Sequence, residues 1–210
     1  MEKYVLDTNI FFNMSAGINL GQKTEEVVIN LTEIIKKLKE KNKADFFVPP
    51  TIIDEFLSFF ENKNQPFLKE FISFLTIKSP KIDKINFPSR IFYLLIEDIR
   101  SRHFRGLNIA EEEIKNAAKK FLLINEKLSE KEFQIKLRET IRKFRERFRQ
   151  ATRFGFLDSV ADLDLIVLAN EIDGYLVSTD EGVIKWAKIF GAKIMPAEVW
   201  VRRMKHLLQE

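Results

Sequence analysis

The segment that decides the fold runs from Phe156 to Val183 and reads FLDSVADLDLIVLANEIDGYLVSTDEGV. It places several aspartates around an uninterrupted run of Leu, Ile, Val and Ala, and the apolar run predicts a buried helix followed by a buried strand. Acidic side chains rarely occur beside such a buried segment unless they cap a helix, form ion pairs or take part in a reaction. These aspartates include Asp158, Asp162, Asp164 and Asp180.

Strands and helices alternate on both sides of this segment. The pattern begins with a strand at Tyr4 to Leu6, and alternation of this kind favours an α/β fold with a parallel sheet flanked by helices. Thr51 is predicted to be the N-cap of the helix that follows the second strand. The remaining predicted elements are the helix EEVVINLTEIIKKLKEK, the strand DFFVPP, the helix TIIDEFLSFF, the helix from Ser159 to Ile172, the strand GYLVST, the helix EGVIKWAKIFG and the strand AKIMP.

The region between residues 88 and 154 interrupts this alternation, because it contains no strand pattern. Only helices are predicted there, broken near Gly106 and near Ser129, where Ser129 and Glu132 form a capping box. We therefore predict that residues 1–87 and 155–210 form one domain and that residues 88–154 are an inserted helical subdomain.

Composition limits the possible partners. The chain has 210 residues, of which 45% are hydrophobic and 31% charged, and this composition is typical of a globular protein. The chain has no cysteine, so disulfides and thiolate metal sites are excluded, and the apolar runs are shorter than a membrane span. The N-terminal MEKYVLDTNI lacks the pattern of a signal peptide, so we expect a cytoplasmic protein with no membrane partner. A net charge of +4 favours an acidic partner.

The acidic residues follow the predicted strands. Asp7 comes directly after the first strand, Asp180 comes after the strand GYLVST, and Glu55 lies one turn into the helix after the second strand. Because the carboxyl ends of parallel strands meet at one edge of the sheet, these side chains are expected to lie close together. Asp158 and Asp162 are four residues apart and are predicted to share a helical face.

Each acid taken alone is better explained as a helix cap or an ion-pair partner. The acids taken together need another explanation, because separate segments of the chain bring their carboxylates to the same place. Clustered carboxylates repel one another unless a cation neutralises them. The sequence therefore predicts a site for Mg²⁺ or Mn²⁺. Asp164 lies about 200° round the helix from Asp162, so the geometry favours Asp162 over Asp164.

These motifs resemble those of the PIN-domain nucleases. The matching segments are YVLDTN, PPTIIDEF, ADLDLIVLA and LVSTDEG. Within that family the chain is similar to the small protein-only ribonuclease P proteins, also known as RNA ligase partner proteins, in which a PIN domain carries an inserted, protruding helical pair. The resemblance covers essentially the whole chain.

The resemblance implies a metal-dependent endoribonuclease that removes the 5′ leader of precursor tRNA without an RNA subunit. Asp7, Asp162 and Asp180 would be its metal ligands, with Asp158 and Asp164 as further members. Glu55 is the expected second acid, although its neighbour Asp54 is an alternative. Ser178 and Thr179 would support the site.

Other functions fit parts of the same sequence. A PIN ribonuclease toxin or an rRNA-processing nuclease would use the same acids but would not need a long basic insertion. A non-catalytic RNA-binding partner of an RNA ligase would need the insertion but not the full set of acids. His103 and His206 are isolated in basic helical segments and are predicted to be structural or exposed to solvent.

The insertion carries a basic surface, which we call the basic ridge. Residues 131–153 hold nine basic side chains against three acidic ones, and an apolar stripe of Leu137, Ile141, Phe144 and Phe148 predicts an amphipathic helix. The alternative is a solvated helix with pairs such as Glu139 with Lys143, but the excess of arginine favours contacts with RNA phosphates. The ridge consists of Arg138, Arg142, Lys143, Arg145, Arg149 and Arg153.

The segments EFLSFF, PFLKEFISFLTI and FYLLI hold more Phe, Leu and Ile than one amphipathic face needs. Most of these side chains are predicted to be core, and the remainder would form a subunit interface. The resembled family builds large homo-oligomers from dimers, so a homo-oligomer is expected here, with a dodecamer as one candidate size.

Overall fold

The computed structural model describes residues 1–12, 20–124, 128–157 and 159–210. The chain folds as two compact units. The first combines Met1–Phe87 with Leu157–Glu210, and the second is formed by Pro88–Phe156.

The first unit is built on a five-stranded sheet with the order β3-β2-β1-β4-β5. All of its strand pairs are parallel, so the predicted α/β fold with a parallel sheet is confirmed. The edge strand β3 was not predicted, because two residues are too few to show a periodic pattern. The strands are β1 (Glu2–Leu6), β2 (Ala44–Val48), β3 (Thr76–Ile77), β4 (Tyr175–Val177) and β5 (Lys193–Ile194).

Helices cover the sheet. The apolar run of the deciding segment lies in α7, which packs against β1, and five consecutive residues from Leu165 to Ala169 are buried. Burial on all sides explains why this run contains no polar position. The helices of the first unit are α1 (Asn9–Phe12), α2 (Thr24–Glu40), α3 (Pro50–Ser58), α4 (Pro66–Ser73), α7 (Val160–Ile172), α8 (Glu181–Ile189) and α9 (Ala197–Gln209), with a 3₁₀ turn at Ile82–Lys84.

The second unit is a pair of antiparallel helices, α5 (Arg90–Leu122) and α6 (Glu130–Arg153). The predicted break at Gly106 is wrong, because α5 continues through it. A Cβ at Gly106 would lie 2.8 Å from the ring of Phe148, so this glycine permits close packing of α6 rather than a turn. The predicted capping box at Ser129 is confirmed. In the described ranges, no helix is both long enough and apolar enough to cross a membrane.

A buried arginine ties the end of α6 to α5. Arg102 is 6% exposed and forms a salt bridge with Asp98 at 3.0 Å. Its guanidinium also donates to the carbonyl oxygens of Thr152, Phe154 and Gly155 at 2.9 to 3.2 Å. Because the last carbonyls of a helix lack partners within the helix, Arg102 satisfies groups that would otherwise be left unpaired.

Candidate active site

The candidate site lies at the point in the sheet where the strand order reverses, between β1 and β4. The chain leaves β1 for β2 on one side, while β4 pairs with the other side of β1, with Leu6 opposite Val177. Such a switch point opens a crevice beyond the carboxyl ends of the two strands. Asp7 follows β1 and Ser178 follows β4, so both residues reach this crevice.

Asp7 is the buried centre of the site, with only 2% of its surface exposed. The Ser178 hydroxyl donates to its Oδ2 at 2.5 Å, and the Asn9 amide side chain donates to the same oxygen at 3.2 Å. The backbone N–H of Asn9 donates to Oδ1 at 3.3 Å. Burial raises the pKa of the Asp7 carboxyl, and the nearby charge of Asp180 adds to this effect. All of these donors are neutral, so none of them supplies a positive charge to the carboxylate.

Ser178 connects Asp7 to Asp180. The backbone N–H of Asp180 donates to Ser178 Oγ at 3.0 Å, so one hydroxyl holds both acids in place. Asp180 also caps α8, because its Oδ1 accepts a hydrogen bond from the backbone N–H of Val183 at 2.9 Å. This residue is exposed, so its carboxylate is open to solvent on the side away from the cap.

A second acidic pair joins α3 to α7. Burial raises the pKa of Glu55, and the negative charge of Asp162 raises it further. On the same helices, the Thr51 hydroxyl donates to Asp164 Oδ2 at 3.0 Å. Thr51 thus contacts Asp164 between α3 and α7, and Asp162 lies near enough to Glu55 for its charge to raise the pKa of Glu55.

Glu55 fits the role of the second acid better than Asp54. Thr51 and Glu55 are four residues apart, so Glu55 shares the helical face on which Thr51 contacts Asp164 of α7, whereas Asp54 lies about 100° away around α3. The prediction that Thr51 is the N-cap of α3 is wrong. Pro49 takes that position, and the Thr51 hydroxyl is directed to Asp164 instead.

Asp158 lies outside the described residues. The helix α7 begins at Val160, with Ser159 as its N-cap, and the Ser159 hydroxyl accepts from the backbone N–H of Asp162 at 3.0 Å. The role of Asp158, and the prediction that it shares a helical face with Asp162, stay predictions.

The donor set suits a hard divalent cation. Within residues 1–12, 20–124, 128–157 and 159–210, no three acidic, histidine or cysteine side chains are already arranged to hold a metal. The acids instead form two pairs, Asp7 with Asp180 and Glu55 with Asp162, in which one carboxylate raises the pKa of the other. A buried carboxylate surrounded by neutral donors and by another carboxylate is stabilised when a cation arrives.

Sequence reasoning missed two residues that shape the site. Asn9 makes two hydrogen bonds to Asp7, and Thr51 holds Asp164. Asn9 lies within the motif YVLDTN, where an amide two residues after an aspartate is a recognisable local pairing. Thr51 offered no such signal, because its partner is 113 residues away.

The basic ridge lies on α6, and its arginines are exposed. Arg138, Arg142, Arg145 and Arg149 pair with no acid in the part of the chain that the structure describes. Lys143 differs, because its ammonium group contacts Glu113 Oε1 at 3.2 Å. Arg147, outside the ridge, also binds Glu113 and contacts Glu112 at 2.7 Å. The charge of Lys143 thus helps to join α5 to α6 and is less available than those of the four arginines.

Comparisons with known proteins agree with this architecture. The family model described as PINc domain ribonuclease matches residues 3–209. A protein of Pyrococcus horikoshii named RNA-free ribonuclease P is 33% identical, over 100% of this chain and 95% of its own length. Proteins of the same name from Methanocaldococcus jannaschii and Thermodesulfovibrio yellowstonii are 34% and 33% identical, over 93% and 90% of this chain and over 88% and 86% of their own lengths.

The chain therefore belongs to the RNA-free ribonuclease P family of PINc-domain ribonucleases. The resemblance inferred from its motifs is confirmed. As a member of this family it is an endoribonuclease, and PIN nucleases act with divalent metal ions.

Proposed function

We propose that this enzyme removes the 5′ leader of precursor tRNA in the cytoplasm, with Mg²⁺ or Mn²⁺ as its cofactor. The observation that carries the proposal is the buried Asp7 carboxylate, held by neutral donors at the switch point and facing Asp180. A binding module has no use for such an arrangement, whereas a nuclease needs it to hold a cation.

The side chains have separate tasks in this proposal. Asp7 and Asp180 would hold the cation from the β1 and β4 side, and Glu55 and Asp162 from the α3 and α7 side. Ser178 keeps the Asp7 carboxylate in one orientation, because its hydroxyl donates to Asp7 and accepts from the backbone of Asp180. When bound, the cation supplies a water of lowered pKa and neutralises charge at the scissile phosphate.

Incubation of the purified protein with 5′-labelled precursor tRNA and Mg²⁺, without any RNA or protein partner, tests the proposal. The expected result is a single cut that leaves a mature tRNA with a 5′-phosphate. Tight binding of an intact precursor across Mg²⁺ and Mn²⁺ concentrations would instead indicate a non-catalytic RNA-binding protein. Cleavage of ribosomal or messenger RNA alone would indicate a different PIN nuclease.

Metal binding should strengthen as the pH rises. The pKa of Asp7 is raised above its ordinary value of 3.8, so in the absence of metal its stabilising contribution is fully present below 3.8 and is lost as the pH rises through the raised value. A cation binds the deprotonated carboxylate, so its stabilising effect grows over that same window. The increase in melting temperature caused by Mn²⁺ should be larger at about pH 7.5 than at about pH 5.

Asp7→Ala provides the control for this measurement, because the variant lacks the group that titrates. Its Mn²⁺-induced change in melting temperature should be small at both pH values. An equal Mn²⁺ effect at both pH values in the wild-type protein would contradict the assignment of Asp7 as a ligand.

We also propose that the basic ridge binds the phosphates of the RNA substrate. Removing two of its arginines by Arg145→Ala with Arg149→Ala should weaken binding of precursor tRNA and reduce the log–log salt slope by about 1.5, at roughly 0.7 to 0.9 for each phosphate that is no longer neutralised. Neither guanidinium pairs with an acid among the described residues, so the folded structure should tolerate both changes. Binding measured across a salt series gives the slope directly.

Lys143→Ala is the matched comparison on the same helix. Because its ammonium group is paired with Glu113, its removal should change the salt slope by less than the removal of one free arginine. An unchanged slope in a folded Arg145→Ala, Arg149→Ala protein would reject the ridge as a phosphate-binding surface.

The proposed assembly is a homo-oligomer built from dimers, with a dodecamer as one candidate size. An exposed apolar row on α5 supports it, including Phe92 at 58% exposure and Ile96 at 57%. Contiguous apolar surface of this kind marks interaction sites. The other members of the row are Ile99, Leu107 and Ile114.

The Phe92→Glu, Ile96→Glu protein should therefore have a smaller mass than the wild-type protein when measured by light scattering. Charged groups in an apolar interface are costly to bury, so assembly should weaken. Arg100→Glu changes an exposed position on the same helix and serves as a charge control. Unchanged mass in the double variant would exclude this row as the interface.

A further inference from the structure

A cavity of ≈ 400 Å³ lies directly beside the candidate active site. It is bounded by α8, β5 and the first turn of α9, and its wall includes Ser178 and Thr179 at the end of β4. Since Ser178 also donates to Asp7 and accepts from the backbone of Asp180, a molecule in the cavity would lie next to the acids. The cavity and the acidic residues belong to the same compact unit.

The lining has the chemistry of a nucleotide site. Ile184, Ile194, Pro196 and Val199 provide apolar surface suited to the face of a base. The ammonium group of Lys188 provides a positive charge for a phosphate, and the Thr179 hydroxyl provides a hydrogen-bonding group for a sugar or base edge. The lining also holds the Glu198 carboxylate, which can accept a hydrogen bond from a ribose hydroxyl or a base amino group. A volume of this order also falls within the usual range for small-ligand pockets, about 300 to 1,000 Å³.

We propose that this cavity holds one nucleotide flanking the scissile phosphate, with its base against the apolar wall and Lys188 near its phosphate. The inference rests on the proposed ribonuclease function, because the occupant is a part of the RNA substrate. The cavity would fix the position of the cut by holding the neighbouring base, while the acids act on the phosphate. Val199 and Ile194 would then be positioning residues.

Two measurements test this subsite, and the first needs no cleavage. Adenosine 5′-monophosphate, added to protein labelled at the isoleucine methyl groups, should shift the signals of Ile184 and Ile194 while leaving buried Ile52 of α3 unchanged. Ribose 5-phosphate, which lacks the base, should shift them less. Val199→Trp should abolish the shifts, because Val199 is 43% exposed and a larger side chain there can fill the cavity without disturbing the core.

The second measurement is single-turnover cleavage of precursor tRNA at saturating protein. Val199→Trp should slow cleavage roughly tenfold, the effect expected when one base is no longer held. An abasic ribose on one side of the cut should slow the wild-type enzyme by a similar factor and should slow Val199→Trp no further. Gln209→Trp, at the exposed far end of α9, should behave like the wild-type enzyme.

The outcomes separate this inference from the proposed function. If the wild-type enzyme cleaves precursor tRNA but neither Val199→Trp nor the abasic substrates slow the reaction, the subsite is wrong and the function stands. Absence of any methyl shift with adenosine 5′-monophosphate also overturns the subsite. Methyl shifts without cleavage of precursor tRNA would support the cavity as a nucleotide site and overturn the proposed substrate.

Discussion

Asp7→Ala is expected to lower metal-dependent cleavage of precursor tRNA by about a thousandfold or more, because the absence of a ligand removes several kcal/mol of transition-state stabilisation. Asp7 lies at the end of the central strand and receives hydrogen bonds from Ser178 and Asn9, so no neighbouring acid can replace it. The measurement is single-turnover cleavage at saturating protein, with circular dichroism to show that the variant is folded.

Two further acids should give comparable losses of activity. Asp180→Asn removes the charge but keeps an oxygen that can cap α8, so it separates the role of a ligand from the role of the helix cap. Asp162→Ala removes the α7 acid whose charge raises the pKa of Glu55. Asp54→Asn is the matched control, because Asp54 is the neighbour of Glu55 on α3 but lies about 100° away around the helix.

The pattern across these variants is more informative than any single value. Folded Asp7→Ala, Asp180→Asn and Asp162→Ala proteins that cleave at the wild-type rate would disprove the site. RNA binding should be retained in all of them, because the basic ridge on α6 is unchanged. Loss of cleavage together with loss of binding would point to misfolding instead.

Arg102→Ala is expected to destabilise the second unit by about 3 kcal/mol, because breaking a buried ion pair strands polar groups away from water. Removal of the guanidinium takes a charge partner from Asp98 and hydrogen-bond donors from the carbonyls of Thr152, Phe154 and Gly155. For a chain of this size, the corresponding fall in melting temperature is roughly 6 to 12 °C. Hydrogen exchange should locate the destabilisation at the end of α6.

Arg105→Ala is the control for this experiment, since Arg105 is exposed and lies less than one turn further along α5. It should change the melting temperature by only about one degree or less, as surface substitutions usually do. An Arg102→Ala protein as stable as Arg105→Ala would show that the hydrogen bonds of Arg102 contribute little to folding.

The sequence by itself determined the α/β architecture and the positions of the acids along the chain. Strand and helix patterns are local, so Asp7 and Asp180 could be placed after their strands from spacing alone. Their convergence followed from topology, because parallel strands present their carboxyl ends at one edge of the sheet. The capping box of α6 could also be predicted from the sequence, since all of its groups lie within four residues.

Tertiary structure decided the features that depend on partners distant in sequence. The local sequence predicts that Gly106 breaks a helix, but in the fold Gly106 allows Phe148 of α6 to pack closely against α5. The local sequence likewise predicts that Thr51 caps a helix, but its hydroxyl donates a hydrogen bond to Asp164. The local sequence places Lys143 in the basic ridge, but in the fold its ammonium group forms an ion pair with Glu113 of α5. In each case the local preference is worth about 1 kcal/mol or less, and an interaction made across the fold outweighs it.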